Sequence, residues 1–434
     1  MSILAFFTYI NESILAIPTT FLFFGTALFL TYKTRFIQFR MIPRFIGLVS
    51  GTIKHTANRT QAINPFHAVF TAMATTMGMG NVVGPSVAIF TGGPGALFWL
   101  LVYIVFGSVT KFTEVVYALR TRKINADDSI SGGPLHYLAK VHPLLAIWYG
   151  SIMLFLFASW SSLQANTLAA LLYKESISPW ITASLVTIFL MLVMYGGAFR
   201  VSSLASKAVP LMFCMYVSVA LYILLSNPLS LLSALTLIKN SVLSPCAAVG
   251  GFCGATIFHA MHAGLYQGIF ITEAGIGTTS IPHSLANTNN PIDQGLLALY
   301  STISDFLLVT LSGLLVLVTG VWSTGVFRST FIYEAFKIHA PGFGSYILLV
   351  SLALFIITTI MGNSFNGMQT FGVLFPKGNS AIYMFFLLFV VFTGSLISAP
   401  LVWGTMQTIL ACAAIPNVVG LIILAIRNPE DITI

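Results

Sequence analysis

Charge is scarce in this sequence. Only 7% of its 434 residues are Asp, Glu, Lys or Arg, against roughly 25% in a soluble domain. Ile181–Tyr195, Phe306–Thr319 and Ile347–Ile360 contain none at all, which excludes an ordinary water-soluble globule. Cysteine is sparse as well. Cys214, Cys246, Cys253 and Cys412 are the only four, they sit in apolar stretches, and no two form CxxC, so they point to packing thiols rather than a disulfide framework or metal centre. The eight histidines show neither HExxH nor paired haem-ligand spacing, which argues against a membrane metalloenzyme or redox protein. The formal net charge is +8, yet the basic residues are scattered and build no basic face with interleaved aromatics, which argues against nucleic acid as a partner. Met1–Pro18 carries no early positive charge, and no cleavable signal peptide is expected there.

What is abundant is apolar. Hydrophobic residues make up 57% of the chain, and the mean hydropathy is +0.93. A bilayer core about 30 Å thick takes ~20 apolar residues per helix, and its lack of water makes helices the natural spanning form. Beta-barrel spans alternate over about 10 residues, whereas these runs are longer and apolar on every side. The fold class is therefore an all-α polytopic membrane protein, one domain over 1–434, with the lipid bilayer as a partner. Eleven spans are predicted, at 14–32, 66–91, 95–119, 143–172, 178–197, 205–226, 246–271, 293–321, 343–368, 380–396 and 398–426. The bias of Lys and Arg toward cytoplasmic loops sets orientation. With the N-terminus outside, fifteen of the nineteen basic residues fall inside, among them Lys33, Arg35, Arg40, Arg44, Lys54, Arg59 and Lys111, and only Lys174, Lys239, Arg328 and Lys337 fall outside. The C-terminus is then cytoplasmic. The basic, mixed segment 36–59 is expected to lie on the membrane surface as an amphipathic element.

Two interruptions carry more information than the spans. Thr75–Thr76–Met77–Gly78–Met79–Gly80–Asn81 lies inside one span, and Gly250–Gly251–Phe252–Cys253–Gly254–Ala255–Thr256 inside another. Glycine costs roughly 1 kcal/mol in a helix interior relative to alanine, although membrane glycines also serve close packing. The two clusters occupy matching places, each in the first helix of a set of five. That arrangement predicts a 14–32 leader helix followed by two inverted repeats, 66–226 and 246–426, with a binding site at the midplane.

At these clusters the sequence resembles the alanine/glycine:cation symporter family, also called the sodium:alanine symporters. The matching residues are Asn64–Pro65–Phe66, Gly78–Met79–Gly80–Asn81, Gly92–Gly93–Pro94–Gly95–Ala96, Thr110–Lys111–Phe112 with Glu114–Val115–Val116, and Gly132–Gly133–Pro134. They continue with Gln164–Ala165–Asn166, Gly250–Gly251–Phe252 with Gly254–Ala255–Thr256, and Glu273–Ala274–Gly275–Ile276–Gly277. The resemblance implies the five-plus-five inverted-repeat fold shared with the bacterial leucine transporter. It also implies secondary active symport of a small neutral amino acid such as alanine or glycine with a cation, Na⁺ first, by alternating access in the bacterial inner membrane. A protein of this kind is no enzyme, needs no cofactor and completes its pathway as a monomer.

The chemistry of a broken helix fits such a substrate. Half-helix N-termini attract a carboxylate, and freed carbonyls hold an ammonium or a hard cation. Amides near Gly78, Gly80 and Asn81 are expected to hold the carboxylate, and carbonyls of Gly250, Gly251 and Phe252 the ammonium, with Thr76 a further substrate-binding residue. Gln164, polar in an apolar span, is a substrate contact by resemblance and otherwise an interhelical hydrogen bond. The superfamily likeness places the cation among carbonyls of Ala74 and Met77 and hydroxyls of Thr358 and Thr359, which alternatively bond back to their own helix. It also raises a second cation position at Asn81 and Thr256.

Carboxylates within spans are functional candidates. Glu114 follows Lys111 at helix-neighbour spacing, which suggests an ion pair or gate toward the cytoplasmic end. Glu273 suggests an inner gate element. Asp305 is either buried against Ser or Thr neighbours or a titrating group. Two departures from the family stand out. Asn363 occupies the place of a tryptophan, followed by Asn366, which makes the pocket larger or more polar. His259 and His262, one helix face apart by three residues, keep H⁺ open as the coupling ion. A proton-coupled permease for a larger amino acid therefore stays open, as does an ion channel, though two unlike breaks in one chain fit a symmetric selectivity filter poorly.

Overall fold

The computed structural model describes residues 15–51, 62–124, 130–243, 257–324 and 331–433. Gly250, Gly251, Phe252, Thr256, Cys246 and Cys253 lie outside these, and with them the second interruption. The described residues form eighteen α-helices, two 3₁₀ turns and one two-stranded hairpin. In chain order the helices are α1 Ala16–Lys33, α2 Ile37–Arg40, α3 Ile42–Val49, α4 Pro65–Thr76, α5 Met79–Gly92, α6 Gly95–Thr121, α7 Pro134–Val141, α8 Pro143–Lys174 and α9 Pro179–Met194. They continue with α10 Gly197–Ser226, α11 Pro228–Leu243, α12 Ile257–Thr272, α13 Ser280–Ser284, α14 Pro291–Thr319, α15 Phe331–His339, α16 Phe343–Leu374, α17 Ser380–Gly394 and α18 Ala399–Arg427. The hairpin joins β1 Lys123–Ile124 to β2 Ile130–Ser131. By length and composition, six helices among the described residues are able to cross a membrane: α6, α8, α10, α14, and most of α16 and α18.

Local chemistry explains the starts. Pro65, Pro143 and Pro291 open α4, α8 and α14, where a missing N–H costs nothing, and Asn64, His142 and Asn290 just before them accept from first-turn amides. Helices α7, α11 and α15 lie between the predicted spans. Helix α10 begins at Gly197 rather than near 205, and α16 runs on to Leu374. Segment 36–59 is described only in part. Its α3 is tied to the body by Arg44, which pairs with Asp293 at 2.6 Å, and by Phe45 stacked on Tyr300 at 4.4 Å between centroids.

Packing sorts the long helices into two groups. Helices α5, α6, α12 and α14 pack on one another, and α8, α10, α16 and α18 form the other set, with α4 against α10 and α16. The gap between α4 and α5 therefore falls where the groups meet. Small residues let the first group close up, as expected where lipid supplies no hydrophobic drive between helices. A Cβ on Gly264 would lie 2.3 Å from the Ala96 carbonyl oxygen, and one on Gly268 2.7 Å from Tyr103. The outer faces are apolar: on α9, Trp180, Ile181, Leu185 and Leu192 are exposed, and on α17, Ile382, Phe385 and Phe389.

Candidate functional site

Helix α4 ends at Thr76 and α5 begins at Met79, leaving Met77 and Gly78 between them. Gly78 has φ −130 and ψ −158, an extended conformation open to any residue, so its value lies in space. A Cβ there would sit 2.6 Å from Thr359 Oγ1 and 3.0 Å from Gln164 Nε2. Helices α8 and α16 thus both press on the gap. The Thr359 hydroxyl lies 3.3 Å from the Met77 carbonyl oxygen while donating to Phe355 at 2.8 Å in its own helix. Thr358 bonds Leu354 at 2.8 Å and faces Met212 Sδ of α10 at 3.4 Å. A hydroxyl that donates to its own helix keeps its lone pairs for a cation. Ala74 is close by, since a Cβ on Gly362 of α16 would lie 3.3 Å from its carbonyl carbon.

The gap is braced from within. Gly78 N donates to Thr76 O at 3.1 Å and to Asn81 Oδ1 at 3.3 Å, and Asn81 N donates to Gly78 O at 3.2 Å. Two of the expected carboxylate-binding amides are therefore engaged. The first-turn amides of Met79 and Gly80, which have no intrahelical acceptor by geometry, complete the positive end of α5. Gly80 is covered by the Phe270 ring, 3.5 Å from where a Cβ would be. Beside the gap, Gln164 Oε1 and both amide atoms of Asn363 have no hydrogen-bond partner among the described residues, although Gln164 is 6% and Asn363 1% exposed. Asn363 follows Thr359 by four residues and shares its face of α16. Asn366 donates to Thr278 O at 3.2 Å.

The structure corrects the pairing expected for Lys111. Its ammonium meets Asp305 Oδ2 of α14 at 3.2 Å rather than Glu114, because Asp305 occupies the facing side of the α6–α14 contact. Lys111 is 1% exposed, so it is no loop charge and leaves the count of inside residues. Asp305 is paired with neither Ser nor Thr but with Lys111 and with Asn81 Nδ2 at 2.9 Å.

Glu114 belongs to a second cluster. Asn417 of α18 donates to Glu114 Oε1 and to Gly275 O, both at 2.8 Å, and accepts from Tyr137 at 2.5 Å. Tyr149 donates to Ile276 O at 2.8 Å and Tyr103 to Ala274 O at 3.1 Å. The segment Ala274–Gly277 after α12 is thus held by three side chains from three helices. Glu273 begins it with a left-handed φ of 56, is 4% exposed and accepts from the Thr278 hydroxyl. Asn417 and the three tyrosines are polar residues that sequence reasoning passed over; Asn417, next to Pro416 within an apolar span, was the available signal. Further along, Arg122 donates to the carbonyls of Ser284, Ala286 and Thr288 at 2.7–3.0 Å. His283 Nδ1 accepts from Gln294 at 2.8 Å, and burial pushes its imidazole down to about 3.

His259 and His262 sit away from all of this. His259 Nε2 lies 3.0 Å from Thr91 O, and His262 stacks between Phe258 and Tyr266 at 6.4 and 6.0 Å. Both line a cavity of about 410 Å³ with Thr91, Gln267 and Gln407. His262 precedes Phe270, which covers Gly80, by eight residues, roughly 12 Å along the helix.

Comparison with known proteins agrees with this architecture. Among solved structures, MhsT in complex with L-phenylalanine superposes with a TM-score of 0.63 at 13% identity, covering 86% of this chain and 92% of that one. A Na⁺-coupled sialic acid symporter gives a TM-score of 0.53 at 13% identity over 94% of this chain and 82% of its own. At such identities the likeness shows the fold alone. In sequence, an uncharacterized transporter of Haemophilus influenzae is 30% identical over 97% of this chain and 94% of its own. The sodium/alanine symporter AgcS of Methanococcus maripaludis is 30% identical over 93% and 91%. The probable sodium/glutamine symporter GlnT of Bacillus subtilis is 27% identical over 92% and 83%. A family model described as a family of sodium:alanine transporters matches residues 1–430: this chain belongs to the sodium:alanine symporter family.

Proposed function

We propose that this chain is a secondary active transporter that carries a small neutral amino acid together with Na⁺. The observation that carries the reading is the interrupted helix at Met77–Gly78, onto which the Thr359 hydroxyl and the Gln164 amide converge. The positive end of α5, at Met79 and Gly80, takes the substrate carboxylate. Gln164 and Asn363, with polar atoms left over, line the remainder of the pocket, and Thr76, Gly250, Gly251 and Phe252 complete it. Na⁺ binds among the carbonyls of Ala74 and Met77 and the hydroxyls of Thr358 and Thr359. Alternating access moves the helices of one group against those of the other. The cluster of Glu114, Glu273 and Asn417 releases Ala274–Gly277 on the cytoplasmic side. The protein works as a monomer in the bacterial inner membrane, with a leader helix, two inverted repeats, an outer N-terminus and a cytoplasmic C-terminus. Its relatives AgcS and GlnT, described as sodium/alanine and probable sodium/glutamine symporters, support the substrate class.

The test is uptake of radiolabelled alanine, glycine and glutamine into proteoliposomes under separate Na⁺ and proton gradients. Saturable, Na⁺-driven accumulation of a neutral amino acid is expected. Accumulation driven by protons alone would transfer coupling to another group, with His259 and His262 first to be replaced. Folded protein that accumulates nothing under either gradient would sink the reading.

A further inference from the structure

The transport reading leaves Lys111 without a task, and its surroundings give it one. Lys111 and Asp305 are buried to 1% and 2% side-chain exposure with 3.2 Å between Nζ and Oδ2. The other carboxylate oxygen of Asp305 accepts from Asn81 Nδ2 at 2.9 Å, and Asn81 Oδ1 accepts from Gly78 N at 3.3 Å. A single chain of contacts therefore runs from the helix gap to the ammonium. Asn81 is the described member of the Asn81 and Thr256 pair at which the leucine-transporter likeness raises a second cation; Thr256 lies outside the described residues. The one side-chain oxygen of Asn81 already faces an N–H donor, and the nearest carboxylate already holds a cation. Glu114 and Glu273 are engaged elsewhere, by Asn417 and by Thr278. Among the described residues, only Asp305 forms an ion pair with Lys111.

We infer that the Lys111 ammonium is a tethered substitute for a second coupling cation, so that the protein moves one Na⁺ with each amino acid. The inference rests on the symport reading above. Its physical basis is the cost of a bare carboxylate at membrane depth. Such a group demands a counter-charge, and breaking a buried pair strands the other member. An ammonium presents three donors and one positive charge to oxygen ligands. It fills the demand that Na⁺ would otherwise meet, yet it cannot leave with the substrate. A zwitterionic amino acid plus one Na⁺ then transfers one positive charge per cycle.

Two measurements test this on the full-length protein. The first is simultaneous uptake of radioactive sodium and radiolabelled alanine by the unaltered protein in proteoliposomes. Equal fluxes are expected, and two sodium ions per alanine would overturn the inference. The second needs no substrate: the melting temperature is titrated with NaCl against choline chloride. The unaltered protein should show one saturating component. Lys111→Gln, which leaves Asp305 without its counter-charge, should gain a second, Na⁺-specific component. Lys111→Gln with Asp305→Asn should lose it again. A folded Lys111→Gln that gains no second component overturns the inference; if that variant does not fold, the flux ratio of the unaltered protein decides. Loss of Na⁺-driven uptake altogether, with the second component still gained by Lys111→Gln, would instead count against the symport reading and leave the role of the lysine intact.

Discussion

The polar groups around the helix gap and those around Ala274–Gly277 are equally buried but not equally satisfied. At Ala274–Gly277, Tyr103, Tyr149 and Asn417 each find a backbone carbonyl, and Asn417 uses both ends of its amide. Of the side-chain atoms named in that cluster, Glu114 Oε2 alone lacks a partner among the described residues. At the gap, Gln164 Oε1 and the whole amide of Asn363 are left over. A buried polar atom without a partner costs about 1–3 kcal/mol, and a fold that tolerates several in one place has kept them for something. The satisfied cluster is a latch that holds backbone in place. The unsatisfied one is where the proposed function puts the substrate.

That contrast can be broken from either side. The largest effect is expected at the latch: Asn417→Leu strands Glu114, Tyr137 and the Gly275 carbonyl, and stability should fall by about 3 kcal/mol, read as melting temperature in detergent. Unchanged melting would mean that the latch carries no load. At the gap the effect should fall on transport instead. Gly78→Ala drives a methyl against Thr359 and Gln164, and loss of two hydrogen-bonding positions, on the order of 2 kcal/mol, should cut uptake about thirtyfold. Asn363→Trp removes polar atoms and volume together; it should shift selectivity toward alanine and glycine by roughly tenfold, and an unchanged competition profile would place residue 363 outside the pocket. Gln164→Ala should weaken substrate affinity about fivefold, near 1 kcal/mol, while leaving the Na⁺ dependence and the melting temperature alone. Equal loss of both affinities would make Gln164 a structural residue.

The smallest effect belongs to pH. His283 is held at about 3 by burial against an ordinary value of 6.5, so the unfolded chain takes up its proton first. Its contribution to stability is complete above about 6.5 and is lost as pH falls from there toward 3. His283→Gln should flatten the melting profile in that window, and an unaltered slope would assign the acid sensitivity elsewhere. His136, pushed down to about 4 by burial, is the next group to replace.

Much of this was legible in the one-dimensional pattern. The apolar runs marked where the long helices lie, because composition over some twenty residues is a local property. Gly78 and Gly80 marked the first gap, and Thr359 and Gln164, singled out by resemblance, have side-chain atoms beside it. Lys111 shows where such reading ends. Its spacing to Glu114 is a neighbour spacing on any helix, so the sequence offered Glu114 as partner, while the structure turns the ammonium to Asp305, far along the chain. Asn417 was passed over because a single amide in an apolar span looks the same whether it packs, binds or latches.

The sequence by itself determined the solvent this protein folds in, its helical character, its family and the position of one helix break. Each of these depends only on composition or on residues close together in the chain. The partner of Lys111, the bracing of Asn81 between Gly78 and Asp305, and the fastening of Ala274–Gly277 were decided by tertiary structure alone. The reason lies in the bilayer: helices that are apolar all round carry little periodic signal for which face turns inward. Which polar groups meet is therefore settled only when small residues such as Gly264 and Gly268 let particular faces close on one another.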